Sequence, residues 1–316
     1  MGPSVLALAP AKLNLALSVG PPGVDRMHPI CSWMVTVDLH DELLVHRLPE
    51  ESLSRYAILW HPDALRRSDI DWSITKDLAV RAHLALEQRV GRPLPLQLKL
   101  EKRIPVGGGL GGGSADAAAM LHAVNALYEL GLGDEELAEV ASGLGSDVAF
   151  LVHGGSAIVE GLGERVERHP EPPDLHVVLA FPAVACPTGP VYGAFDAASE
   201  SRPASLDPQR VRALVRAHRG ARLAPEACFN DLAAPAFRVA PSLRDDLEEL
   251  SELAERPAHV SGSGSTLFVV CDDPLHASAL AEACTQRLRL PAVAAKAVGR
   301  PALLRPDARP GPPSRS

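Results

Sequence analysis

Residues 105–120 read PVGGGLGGGSADAAAM, with six glycines among the seven positions from Gly107 to Gly113. Glycine loses more backbone freedom on folding than any other residue, so a run this dense marks a backbone that other residues adopt poorly. The leucines at 94, 96, 98 and 100 alternate before it, as in a half-buried strand, and an alanine-rich helical stretch follows. Strand, glycine turn and helix start together make an anion site. The first helical N–H groups have no partner, the helix dipole favours negative charge, and glycine lets the backbone come close to a phosphate. Ser114 adds a hydroxyl that can cap the helix or reach a phosphate or a hydrated metal ion. Asp147, in LGSDVAF, follows the helix-ending Gly145. An ionised carboxylate there can serve a turn or cap, or it can accept a proton. Lys12 and Asn14 stand two apart in an apolar strand-like stretch and so share a face.

The glycine run alone leaves several readings open. A P-loop needs a lysine directly after its glycines, and none follows here. The dinucleotide fingerprint G-x-G-x-x-G matches at Gly107, Gly109 and Gly112, but a run this dense matches almost automatically. That fingerprint also opens the first βαβ unit and wants an acid at the end of the next strand. Here it begins a hundred residues in, and the next segment, from Asp134, is helical. A purely structural loop, with glycines serving tight packing, is the remaining alternative.

The elements that must hold these residues follow from periodicity. Residues 5–19 are apolar and partly alternating around Pro10, and read as a strand pair. Residues 33–45 read as a strand. Residues 77–90 have helical spacing through Leu78, Ala82, Leu86 and Val90, with Gly91 as a stop. A helix capped by Ser114 runs to about Leu130, and another runs from Asp134 to the Gly145 turn. Strands are expected at SAIVEG, LHVVLAF, STLFVV and AVAAKAV, and helices at 208–220, 241–255 and 274–288. Helices and strands mix without a regular βαβ beat, which predicts an α+β class rather than a doubly wound sheet. The chain divides near residue 165 into domains 1–165 and 166–300, with residues 301–316, rich in Pro, Arg and Ser, as a disordered tail.

The 316 residues are 46% hydrophobic and carry a net charge of −8, the profile of a soluble globular protein without bulk affinity for nucleic acid or anionic membrane. Five cysteines without C-x-x-C spacing predict free thiols in a reducing cytoplasm. No stretch has the length and apolarity of a membrane span. Oligomeric state stays open between monomer and homodimer.

The pattern from Pro105 to Ala115 resembles the phosphate loop of the GHMP kinase superfamily. APAKLNLAL at 9–17 and VSGSGSTLFVV at 260–270 resemble that superfamily's other two motifs, in order. Within it, PAKLNL, the histidine of DRMH, GGGLGGGSADAA, LGSDVAFLVHGGSAIVEGLGE, CPTGPVY and FNDL are most similar to the 4-diphosphocytidyl-2-C-methyl-D-erythritol kinase family. The resemblance implies two α+β domains with the site in the cleft between them. It implies transfer of the ATP γ-phosphoryl, with Mg²⁺, to a tertiary hydroxyl of a small cytidyl-linked substrate. Asp147 would be the base, and Lys12 would orient it and neutralise charge. Pro105, Gly107–Gly113 with Leu110, and Ser114 would hold the ATP phosphates, with Lys102 and Asp77 near the nucleotide. Asn14, His28, Thr188, Tyr192, Gly262, Ser263 and Gly264 would line the substrate side. Metal ligands are unassigned. The chain departs from the family's pattern at Arg26 and Met27, where Gly and Tyr are usual, and at Asp77, where Asn is usual.

Overall fold

The computed structural model describes residues 2–169, 172–199, 205–218 and 221–304. Its first half runs β1 (Ser4–Val19), β2 (Ile30–Arg47), β3 (Arg55–Trp60), α1 (Leu78–Val90), β4 (Leu96–Lys102), α2 (Gly112–Leu127), α3 (Asp134–Ser142), α4 (Val148–His153), β5 (Ser156–Gly161) and β6 (Arg165–His169). The second half runs β7 (His176–Ala180), α5 (Thr188–Ser199), α6 (Pro208–His218), β8 (Phe229–Asn230), α7 (Ala233–Val239), α8 (Ser242–Ala254), β9 (Ala258–Val260), β10 (Leu267–Cys271), α9 (Pro274–Ala283), β11 (Ala292–Val298) and β12 (Ala302–Leu304). The mixed order is the expected α+β class.

The strands join through hydrogen bonds in the order β12-β1-β2-β11-β7-β10-β9, with β4 and β5 also paired to β2. β1 is a single long strand, not the expected pair. It absorbs Pro10 by a register shift against β2 between Pro10 and Ala11, and shifts again between Asn14 and Ala16. A proline cannot donate to a ladder, so within a sheet it sits at such an irregularity. From Ala9 to Val19, β1 is buried at every position, which is why alternation along it is incomplete.

α2 is the other central element. Ten of its sixteen residues are buried, five of them alanines, because it packs against β1, β2, α1 and α4 together. A helix buried on most sides must be apolar nearly all round, and small side chains let its neighbours approach. α1 starts where Asp77 accepts hydrogen bonds from Ala79 N and Val80 N, and it stops at Gly91 in the left-handed conformation. The short helices α4, α5 and α7 and the edge strand β3 were not expected from periodicity.

Two boundaries differ from the sequence expectation. Residue 165 opens β6, whose pairing with β5 keeps Arg165–His169 with the first half. Ala302–Leu304, expected in the tail, pairs with Leu6–Leu8 of β1. Apolar Leu303 and Leu304 supply a strand that the surrounding prolines and arginines hid. Residues 305–316 lie outside the described residues. Among the described residues, no helix is long and apolar enough to cross a membrane.

Candidate active site

The three motifs meet at the middle of β1. Lys12 N donates to Leu110 O at 2.9 Å, so the glycine loop is hydrogen-bonded directly to the first motif. The third motif closes on the loop from the other side: Thr266 N donates to Gly108 O, and Ser261 Oγ to Gly109 O. Two glycines show why the composition is needed. Gly109, at φ +76°, would place a Cβ 2.1 Å from Ser261 O, a clash no side chain survives. Gly111, at φ +66°, would place one 3.0 Å from Lys12 Cγ and 3.6 Å from Asp147 Oδ2. The loop is therefore glycine-rich partly so that three segments of backbone can touch. Gly111 is the N-cap of α2, three residues before Ser114, so Ser114 does not cap the helix as expected. It lies in the first turn with Gly112 and Gly113, whose N–H groups have no intrahelical acceptor and open toward the cleft.

Lys12 and Asp147 face each other across the position of that missing Cβ, with Nζ 3.6 Å from Oδ2. Lys12 is 5% exposed, not the edge lysine that its strand alone would suggest. Its Nζ also donates to Asn14 Oδ1 at 2.5 Å, Asn14 Nδ2 donates to Ser32 Oγ, and Ser32 Oγ donates to Ala16 O. This chain fixes Asn14 and leaves Lys12 little freedom. Asp147 stands at the N-terminus of α4, but its side chain makes no capping hydrogen bond. The carboxylate is thus committed to the cleft and not to the helix.

Beneath the loop, Lys102 departs from expectation. It is neither a strand-end surface lysine nor free to reach a ligand: its Nζ bridges Asp116 Oδ2 at 2.5 Å and Asp41 Oδ2 at 2.6 Å, and all three residues are buried. Asp41 Oδ1 also accepts from Arg103 N and Ile104 N, the residues leading into the loop, while Asp116 belongs to the helix leading out of it. Burial pushes Asp116 well above the usual carboxylate range, and the charge of Asp41 pushes the same way, against the pull of Lys102. For Lys102, burial opposes the charged form, but Asp116 and Asp41 outweigh it and hold its pKa above normal. The three side chains form one buried charged cluster that ties the strand leading into the loop to the helix leading out of it.

The cleft occupies about 890 Å³, within the usual range for small-molecule sites. It is lined by every expected site residue except Gly264, whose Cβ position faces Val260 and Cys186 behind the wall. Asp77 lines it, but Oδ1 caps α1 and Oδ2 accepts from Trp72 Nε1 at 3.1 Å. Both carboxylate oxygens are thus engaged as acceptors, one capping α1 and one holding Trp72; an Asn could keep the cap, but its amide nitrogen could not accept from the indole N–H. His28 also lines the cleft, its ring tilted 45° against Tyr192 with centroids 4.8 Å apart. Burial, with the charge of Asp147 adding to it, pushes the Tyr192 phenol up to about 12. Thr188 Oγ1 lies 3.3 Å from Ser263 Oγ, joining α5 to the third motif. Asn230, in FNDL, supports that motif by donating to Val260 O and Gly262 O. Trp72, Lys76, Ser146 and Asp196 also line the cleft and were not foreseen. Only the scarcity of tryptophan, three in the chain, could have drawn attention to one of them.

The model of the GHMP kinases N terminal domain matches residues 77–155, and that of the GHMP kinases C terminal domain matches residues 211–290. A 4-diphosphocytidyl-2-C-methyl-D-erythritol kinase of Caulobacter sp. (strain K31) is 37% identical over 293 residues, 89% of this chain and 93% of the relative. The chain belongs to the 4-diphosphocytidyl-2-C-methyl-D-erythritol kinase family of GHMP kinases. A relative of the same name from Paenarthrobacter aurescens (strain TC1) is 32% identical over 292 residues, 90% of each chain. The crystal structure of a 4-(cytidine 5'-diphospho)-2C-methyl-D-erythritol kinase superposes with a TM-score of 0.71 at 33% identity, covering 93% of this chain and 99% of that one. A homoserine kinase from Cytophaga hutchinsonii has a TM-score of 0.69 at 19% identity, over 96% and 98% of the two chains, a likeness of fold alone.

As a GHMP kinase the protein is an ATP-dependent phosphotransferase. Among the described residues no group of three His, Cys, Asp or Glu is placed to hold a metal by itself. A Mg²⁺ bound with a nucleotide takes most of its ligands from phosphates and water and needs only one or two protein oxygens. Ser114 and Asp147 supply oxygens beside the loop.

Proposed function

We propose that this kinase transfers the γ-phosphoryl group of ATP to the tertiary 2-hydroxyl of 4-diphosphocytidyl-2-C-methyl-D-erythritol, a step of the non-mevalonate route to isoprenoid precursors. The relatives that carry this name match along most of the chain. The observation that carries the chemistry is the 3.6 Å approach of Lys12 Nζ to Asp147 Oδ2 at the mouth of the glycine loop.

Phosphoryl transfer asks a protein chiefly for position and charge compensation. The N–H groups of Gly112, Gly113 and Ser114 hold the ATP phosphates at the positive end of α2. Mg²⁺, held by Ser114 and Asp147 together with the phosphates, would neutralise phosphate charge. Asp147 accepts the proton of the attacking hydroxyl. Lys12, fixed by Asn14, keeps that carboxylate in place and balances charge on the transferred group. The adenine lies at the end of the cleft bounded by Trp72, Leu78 and Val106. The cytosine lies at the end bounded by His28, Tyr192 and Thr188. Gly262 and Ser263 close the cleft between them. We place the reaction in the cytoplasm, in keeping with five free, buried cysteines.

The test is ADP release by the purified protein with the cytidyl compound, homoserine, mevalonate and a hexose in turn. Turnover of the cytidyl compound alone supports the proposal. Turnover of another alcohol without it assigns the protein to a different GHMP substrate, and turnover of none leaves a binding protein.

A further inference from the structure

His28 has a partner that no expectation included. Its Nε2 lies 2.8 Å from Oδ1 of Asp196, on α5, 168 residues away in sequence. Asp196 stands one helical turn after Tyr192, so the aromatic and the carboxylate face the same part of the cleft. The His28 ring is gripped on two sides, tilted on Tyr192 and edge-on to Phe195 at 5.8 Å. Its side chain is 7% exposed, and that of Asp196 is 44% exposed. The ring is therefore fixed in place, while the carboxylate is reachable without entering the core.

A carboxylate only accepts, so Nε2 must carry a proton. In a neutral imidazole the other nitrogen, Nδ1, then bears a lone pair. Cytosine and uracil differ in what they offer at position 4 of the ring. Cytosine presents an amino group that donates, and uracil presents a carbonyl that accepts. An acceptor at Nδ1 pairs with the first and repels the second.

We propose that Asp196 is a positioning residue that holds His28 in the tautomer whose Nδ1 accepts from the amino group of the pyrimidine, so that the site selects cytidine over uridine nucleotides. This rests on the assignment of the His28–Tyr192 end to the cytosine. It also accounts for specificity at that end where Arg26 and Met27 replace the usual Gly and Tyr. Asp196 acts through His28 and contacts no reacting atom.

The test compares wild type, Asp196→Asn and Asp196→Ala. Binding of CDP and of UDP is measured by calorimetry, and kcat and KM are measured for ATP and for the cytidyl substrate. Loss of one fixing hydrogen bond corresponds to about tenfold in binding. Asp196→Ala is expected to weaken CDP about tenfold and to shrink the CDP:UDP preference by a similar factor. KM for the cytidyl substrate should rise with it, while kcat and KM for ATP stay within about twofold. Asp196→Asn, whose amide oxygen still accepts from Nε2, should keep the preference. An unchanged CDP:UDP preference in Asp196→Ala overturns the proposal. So does a loss in Asp196→Asn equal to that in Asp196→Ala, or an equal loss of ATP affinity, which would mark a structural role. Failure of the substrate assignment reads out separately, as wild type that discriminates CDP from UDP but does not phosphorylate the cytidyl alcohol.

Discussion

Lys12 and Asp147 approach to 3.6 Å across the one position of the glycine loop where a Cβ would intrude between them. The Lys12 side chain is 6% exposed and that of Asp147 25%, so the first is held and the second can meet a ligand. This asymmetry suits a fixed cation that orients a working base. Replacing the base without changing its shape should stop chemistry and spare binding. Asp147→Asn is expected to lower kcat by about 10²–10⁴-fold, the usual contribution of a general base, with KM for ATP within about threefold. Steady-state kinetics check it, and a near-normal kcat would remove Asp147 from the role of base.

Gly109 and Gly111 separate structural from chemical use of the loop. A Cβ at 109 meets the backbone oxygen of Ser261 at 2.1 Å, and backbone cannot step aside. Gly109→Ala should therefore fail to yield a stably folded protein. A Cβ at 111 meets a lysine side chain, which can move. Gly111→Ala should fold, at a cost of about 1–2 kcal/mol for the left-handed backbone, and lose most of its turnover by displacing Lys12. Thermal melts and kcat measured side by side distinguish the two.

The Lys102 cluster makes a pH prediction. A group whose pKa is raised by folding binds its proton more tightly in the folded state, so the stability it adds is full below its unfolded pKa and is lost as pH rises through the folded value. Asp116 is such a group, raised first by burial. Wild type should lose stability as pH climbs from the ordinary carboxylate range toward the raised value of Asp116, and Asp116→Asn should flatten that part of the profile. Lys102→Met, which strands Asp41 without its cation, should cost about 3–5 kcal/mol. Melting temperatures across pH check both, and identical slopes for wild type and Asp116→Asn would mean that Asp116 is ionised in the folded state.

The glycine spacing, the buried leucine alternation of β4 and the Gly91 stop of α1 were legible because each is set by neighbours in sequence. The roles of Lys102, Asp77 and Asn14 were not. A lysine at a strand end reads as exposed until Asp41, 61 residues before it, is brought alongside. Asp77 looked like a lost amide donor, yet its place needs only an acceptor, for Ala79 N, Val80 N and Trp72 Nε1. Asn14 was assigned to substrate hydroxyls; it lines the cleft, and what the sequence hid is that its side chain is also held between Lys12 and Ser32. Asp196 carries no local signal at all, because what it touches is a loop 168 residues away. Pairwise chemistry across the fold is the part that a single sequence conceals.

Trp72 offers a direct optical test of where the nucleotide lies. Of the three tryptophans, Trp33 is buried with Nε1 on Ser156 Oγ, and Trp60 donates to Ser68 O. Only Trp72 lines the cleft, half-buried, with its indole N–H held by Asp77. An adenine against that ring should perturb its emission, whereas the cytidyl ligand at the other end should not. ATP is expected to change the fluorescence of wild type and to leave that of Trp72→Phe unaltered. Aromatic stacking on a base contributes about 1–3 kcal/mol, so Trp72→Ala should raise KM for ATP by about tenfold without moving KM for the alcohol. An equal rise in both constants would mean that Trp72 shapes the cleft as a whole rather than one end of it.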